Sequence, residues 1–328
     1  AMARRSRQSR LKSGEPEQTE PQSWAWFVAL YLCLGLASAL VWTRVTDSAR
    51  LPSWHAEMIG GYAPAPNQYR PLTPWLAELL RALVPDGSLY TAYLALRALA
   101  TGMALFCFDR YLRLWFRPAA AAAGALGLAA ALPFTYFRVV QESDPVNLLI
   151  FVLAFWALGQ GRDLWLMPLV AVGALNRETV AMLPAVYLLA RWGRLPAGAL
   201  VLRTAAIGAP WALVYGFMRS PLGYGPRPYY CDVVMLAQNL ASVAPTLHLA
   251  LLFGVLWVLA FLAWREGPEL PRRALWLVPP YVLLHYVVAM VIEVRLFLPL
   301  APVIIPLAWW VLFPEARRGQ QATAHTAP

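Results

Sequence analysis

Runs of apolar residues alternate along this chain with short polar joints, and the period and length of the runs predict helices in a hydrocarbon setting. The first run, WAWFVALYLCLGLASALVWT at 24–43, is long enough for one complete crossing, because about 20 apolar residues span a hydrocarbon core about 30 Å thick. Further runs follow at 88–108, 119–137, 145–160, 164–175, 178–190, 198–218, 246–264, 274–292 and 296–313. The pair at 164–175 and 178–190 is short for this task, so these segments are expected either as two crossings or as half-helices meeting in a re-entrant pair at Asn176-Arg177-Glu178. The pattern predicts an all-α polytopic membrane protein with nine or ten transmembrane helices in one domain over 24–313.

The joint at 44–87 is too long to be a simple connection. Within it, LPSWHAEMIGGY predicts a short helix ending at the Gly60-Gly61 pair. The stretch PLTPWLAELLRAL at 71–83 predicts a second, opened by Pro71, with Leu72, Leu76, Leu79 and Leu80 on one face. APAPNQYR between them cannot be helical throughout, because Pro64 and Pro66 lack the amide a helix requires. Both helices are expected to lie along the membrane surface.

Composition supports this reading. Hydrophobic residues make up 60% and charged residues 13% of the 328 positions, with mean hydropathy +0.52; soluble domains carry about 25% charged residues. The net charge of +10 could suggest nucleic acid, but the arginines sit at helix ends in short loops, as the orientation rule for membrane proteins requires, and nucleic acid is excluded as a partner. Residues 1–23, with five basic residues and then three Glu, and residues 314–328 read as cytoplasmic tails, the first disordered, and 24–43 as a retained signal anchor. The basic joints Asp109 to Arg117, Arg162-Asp163, Arg191 to Arg194 and Arg265 to Arg273 then fall on the cytoplasmic side, in a bacterial inner membrane. Cys33, Cys107 and Cys231 imply no disulfide framework, and His248 and His285 read as packed side chains. No cofactor motif occurs, and participation of a divalent metal stays open.

The same topology gathers the unusual polar residues on the external side: Asp47, His55 with Glu57, Arg70, Asp144, Asn176-Arg177-Glu178, and Glu293 with Arg295. An ionisable side chain at bilayer depth costs roughly 2.5–3.5 kcal/mol on the most lenient scale, so residues needed only for lipid immersion would not include them. Tyr229, Tyr230 and Asp232 suggest an external loop that covers the groove.

On these stretches the chain resembles the GT-C superfamily of integral-membrane glycosyltransferases. WHAEMIGGY is similar to the aromatic and acidic segment following that family's catalytic acid. YRPLTPWLAELL is similar to the signature opening the second juxtamembrane helix in the aminoarabinose and protein mannosyl transferase branches, and Arg97 sits where those branches often place an arginine. The motifs cover roughly 24–110, and topology alone relates the remainder. The resemblance implies transfer of a sugar from a polyprenyl-phosphate donor, drawn from the membrane lipid, to a glycan, lipid or protein acceptor on the external face. It implies Asp47 or Glu57 as the general base, with His55 on the acceptor side, and Arg70, Arg177 and Arg295 as holders of the donor phosphate. Asp144, Asn176, Glu178 and Glu293 are the supporting groups. A transporter or flippase of a lipid-linked or anionic substrate, and a non-catalytic membrane assembly partner, are the other classes compatible with the pattern.

Overall fold

The computed structural model describes residues 24–140, 142–229 and 234–318. The amino-terminal tail at 1–23, the last residues of the carboxyl-terminal tail, and Tyr230, Cys231 and Asp232 lie outside the described residues. In chain order the helices are α1 (Trp24–Val45), α2 (Leu51–Gly60), α3 (Leu72–Arg81), α4 (Leu89–Leu112), α5 (Pro118–Ala131), α6 (Asp144–Gly159), α7 (Leu166–Ala174), α8 (Met182–Arg191) and α9 (Ala197–Arg219). They are followed by α10 (Leu236–Leu240), α11 (Ala244–Phe253), α12 (Leu256–Leu262), α13 (Glu269–Ala274), α14 (Val278–Val288) and α15 (Ala301–Leu312). Two isolated β-bridges, Ala65 with Tyr229 and Phe116 with Arg317, are the extended pairings among the described residues.

The helices begin and end where local chemistry dictates. Ser88 caps α4 by accepting from the Thr91 amide, and Asp86 accepts from the Ser88 amide at 3.0 Å and the Thr91 hydroxyl at 2.8 Å. Pro118 and Pro145 occupy the first turns of α5 and α6, where a missing amide costs nothing. Gly61, with φ of 79°, ends α2 in the left-handed conformation, as the Gly60-Gly61 pair predicts.

Helices α1 and α4 are antiparallel: Tyr31 lies edge-on to Phe106, while Trp42 and Thr43 meet Arg97. Their backbones approach so closely that a Cβ on Gly35 would stand 2.3 Å from the Ala98 carbonyl oxygen, the close packing of small residues that drives association in lipid. Behind this pair, Phe108, Tyr111, Phe151, Phe155 and Phe297 form a buried aromatic core. The Val294–Leu312 segment is central, with 83% of its apolar window buried, whereas the Ala197–Arg219 window is only 11% buried. Leu202 and Leu213 on α9 are 71% and 73% exposed, a lipid-facing surface in any membrane placement.

Five helical segments are long and apolar enough to cross a membrane, and a sixth exists if α11 and α12, bent by 66° at Gly254, form one span. Of the nine or ten expected segments, five or six thus have full crossing length among the described residues, and Asp144–Gly159 and Asp163–Ala174 are apolar but shorter. The short segments still run end to end. Asp163, before α7, pairs with Arg191 at the end of α8, and Arg194 and Arg273 meet Glu269 at that same end. Asn176, Arg177 and Glu178 lie at the other end with Arg70, Asp144 and Arg219. At 1.5 Å per residue, α6, which packs along α4, spans only about 24 Å, against about 36 Å for α4. Since Gly159 packs on Leu114 and Tyr111 at the first end, the shortfall falls at the second. There Glu142, two residues before α6, meets Arg97, which is about 12 Å along α4 from Leu89. The polar layer is thus recessed by about two helical turns, with α2 and α3 packed around the projecting tip of α4.

Candidate functional site

Two polar structures occupy this recessed end. The first is an open cleft of about 630 Å³ where α1 ends, between α2 and the strap at 138–140. Asp47 and Glu57 both line it, with Arg44, Arg50, Arg138, Asn67 and Trp54. The strap is held to α1 by the Asp47 amide donating to the Arg138 carbonyl at 2.9 Å. Asp47 is exposed and accepts a 3.2 Å ion pair from Arg50. Glu57, half-buried on α2, has no ion-pair partner among the described residues, and neither do the exposed Arg44 and Arg138. The Trp54 indole N–H is buried with no hydrogen-bond partner, its ring edge-on to Tyr93 at 6.2 Å. Three guanidiniums against two carboxylates leave the cleft electropositive, and the indole adds an unused donor beside an apolar ring.

The second structure is a buried ionic layer. Arg177 and Arg295, each 1% exposed, flank Asp144, at 2.5 Å and 3.5 Å respectively, and Arg295 also donates to Glu293 at 2.6 Å. Arg70 donates to Glu178 through Nε at 3.1 Å and Nη2 at 2.8 Å, and Arg219 reaches the other carboxylate oxygen at 3.2 Å. Arg177 feels the charges of Asp144, Arg70, Arg295 and Glu293, so the two groups form one electrostatic unit. Asn176 links the layer to its cover, accepting from the Thr73 hydroxyl of α3 at 2.8 Å and donating to the Ser143 carbonyl at 2.9 Å.

Seven of the ten sequence-derived site residues thus converge in the layer (Arg70, Asp144, Asn176, Arg177, Glu178, Glu293 and Arg295), and Asp47 and Glu57 converge in the cleft. His55 belongs to neither. It is buried against α3 and α4, with Nδ1 2.9 Å from the Tyr93 hydroxyl and Nε2 2.7 Å from Glu78, so it faces away from the cleft despite standing two residues from Glu57. On a helix, residues two apart point to different sides. Arg177 and Arg295 are enclosed by carboxylates, so an incoming anion reaches exposed guanidiniums elsewhere more readily. His248 is exposed, correcting its reading as a packed side chain, while His285 is buried as expected and hydrogen-bonds the Tyr281 carbonyl. The Ala65–Tyr229 bridge, Tyr69 donating to the Gly225 carbonyl at 2.9 Å and Arg227 bonded to the Gly61 carbonyl at 2.6 Å dock the 219–229 loop on the 61–70 loop.

Sequence reasoning missed Arg44, Arg50 and Arg138, which line the cleft, and Glu142, whose carboxylate takes Arg97 in a two-pronged contact at 2.5 and 2.6 Å. The signals were present. Arg44 and Arg50 bracket Asp47 in TRVTDSAR, and Glu142 sits beside Asp144 in a polar joint between apolar runs. No group of three or more His, Cys, Asp or Glu suited to a metal ion occurs among the described residues. No family model, curated protein or solved structure matches this chain.

Proposed function

We propose that this protein is a membrane glycosyltransferase that uses a polyprenyl-phosphate-linked sugar and works in the cleft at the end of α1. The observation that carries the reading is the composition of that cleft. It combines two carboxylates, one of them without an ion-pair partner among the described residues, two accessible guanidiniums in the same situation, and an indole donor without a hydrogen-bond partner, all beside a membrane-spanning helix. The resemblance of the 44–87 segment to the GT-C pattern points the same way, and the observed helices α2 and α3 fit it.

In the proposed reaction Glu57 accepts the proton of the acceptor hydroxyl as that oxygen attacks the anomeric carbon. The new C–O bond forms on the face opposite the bond to phosphate, which breaks with its electron pair, so configuration inverts and polyprenyl phosphate leaves. Arg44 and Arg138 hold the phosphate, because guanidinium donates to two oxygens at once and stays protonated as the leaving charge develops. Asp47 orients Arg50, and the Trp54 indole N–H donates to a sugar hydroxyl oxygen. The buried layer is the frame beneath this cleft. The joint at 138–144 connects them, with its first residues on the cleft wall and its last, Asp144, between Arg177 and Arg295.

The test has two arms on purified protein. Farnesyl phosphate serves as a soluble donor-phosphate probe, and the Arg44→Gln/Arg138→Gln variant should weaken its binding about ten- to hundredfold, the loss of one or two charge-assisted contacts of about 1.5–3 kcal/mol each. Turnover of polyprenyl-phosphate sugars should vanish in Glu57→Gln with expression unchanged. No turnover by the wild type would remove the enzymatic assignment, wild-type rates in both Glu57→Gln and Asp47→Asn would remove the cleft carboxylates as the base, and transport surviving in both would favour a carrier.

A further inference from the structure

A second hollow, of about 670 Å³, opens at the opposite end of the helical array, between the 161–167 joint, α8 and α9. Arg162 and Arg203 line it, both exposed and both without an ion-pair partner among the described residues. Asp163 lines it too, but both its carboxylate oxygens accept from Arg191, through Nε at 3.0 Å and through Nη2. At the inner wall stands Tyr187, 0% exposed, whose hydroxyl has no hydrogen-bond partner. A buried hydroxyl left unsatisfied is unfavourable, so the hollow favours an occupant bearing acceptor oxygens.

The surroundings narrow the chemistry of that occupant. Leu164 and Trp165 on the joint are 81% and 59% exposed, Ile207 of α9 lines the hollow, and α9 itself is the least buried of the long helices. Arg203 lies six residues inside that apolar span, about 9 Å from its start. A cation at that position on a lipid-facing helix is costly unless it reaches an anion near the interface. Exposed Trp beside it is the usual marker of headgroup level. An acceptor-rich anion joined to an apolar tail satisfies all of these groups at once, whereas a soluble anion leaves the apolar wall uncovered.

We infer that Arg162, Arg203 and Tyr187 form a binding site for the phosphate headgroup of an anionic glycerophospholipid, on the membrane face opposite the cleft. The guanidiniums take the phosphate oxygens, the Tyr187 hydroxyl donates to one of them, and the acyl chains lie along α9 past Ile207. The site does not depend on the glycosyltransferase reading.

The experiment is native mass spectrometry of the purified full chain with dioctanoyl phosphatidylglycerol, dioctanoyl phosphatidylcholine or inorganic phosphate. The wild type should retain phosphatidylglycerol at least about tenfold better than phosphatidylcholine, consistent with a charge-assisted contact of about 1.5 kcal/mol or more. Arg162→Gln/Arg203→Gln should erase that preference, Arg162→Lys/Arg203→Lys should keep part of it, and Tyr187→Phe should weaken retention several-fold. Equal retention of the two lipids by the wild type overturns the inference. So does an unchanged preference in the double Gln variant, or displacement of phosphatidylglycerol by millimolar inorganic phosphate, which would assign the site to a soluble anion.

Discussion

The pair formed by Arg97 and Glu142 offers the sharpest test of how this fold holds charge. Both residues are buried, at 4% and 1% exposure, and the guanidinium meets both carboxylate oxygens while Nη1 donates to Thr43 at 2.9 Å. Two magnitudes compete. Polar contacts between membrane helices measured by double-mutant cycles average about 0.6 kcal/mol, because the unfolded chain in lipid finds other partners. Removing one member of an enclosed ion pair instead leaves an uncompensated charge, at about 3–5 kcal/mol. The geometry favours the larger figure: every Glu142 oxygen is engaged by Arg97, and Trp42 roofs the guanidinium at 5.7 Å, leaving little room for water to replace a lost partner.

Arg97→Met and Glu142→Met should therefore each lower the unfolding free energy by about 3–5 kcal/mol, while the double variant should lie within about 2 kcal/mol of wild type, since apolar replacement of a buried pair is often nearly neutral. Equilibrium unfolding of the detergent-solubilised protein by sodium dodecyl sulfate, followed by circular dichroism, measures all four proteins. Losses below about 1 kcal/mol in the single variants, or a double variant equal to their sum, would refute the claim that the pair is enclosed and coupled.

Three further outcomes are expected. Gly35→Ala should cost about 1–3 kcal/mol in the same assay, because the new methyl would stand 2.3 Å from the Ala98 carbonyl oxygen and the helices must separate; unchanged stability would mean α1 and α4 do not touch there. Glu178→Gln should lower stability by about 1–3 kcal/mol in the same assay, because Arg70 and Arg219 would lose the carboxylate that both meet; unchanged stability would contradict it. With the native cysteines replaced by Ala, Ser53→Cys at the cleft and Gly198→Cys at the far end should react with an impermeant maleimide from opposite sides of sealed vesicles, and labelling of both from one side would break the two-ended arrangement.

The sequence pattern carries most of the helical layout because it is local. Apolar period, Pro71 and Pro118 at helix starts and Gly61 at a helix end act over a few residues, and helices α2 and α3 fall where those signals put them. Crossing length was less legible: 178–190 reads as one apolar run, but a 3-10 turn at Glu178–Ala181 shortens the helix that follows. Depth was not legible at all. It follows from the mismatch between α4 and α6, a comparison of two elements that only tertiary packing brings side by side. His55 illustrates the same limit, because its partners Tyr93 and Glu78 lie on two other helices and nothing near it in the chain announces them.

The arginines show why convergence and function must be argued separately. Arg70, Arg177, Arg295, Arg44 and Arg138 all belong to the recessed end, yet they divide by what faces them. A guanidinium enclosed with carboxylates is held in place by them, and a phosphate entering would have to displace a contact already made in a poorly hydrated setting, where Coulomb attraction is strong. An exposed guanidinium at a cleft wall has only water to give up. If the proposed function holds, substitution should separate the two sets by readout: loss in the layer lowers stability and reduces activity in proportion to the folded fraction, whereas loss at Arg44 or Arg138 raises the half-saturating donor concentration with unfolding unchanged. A layer variant such as Arg295→Gln that kept full stability but lost donor affinity would reverse this division and return the phosphate site to the buried arginines.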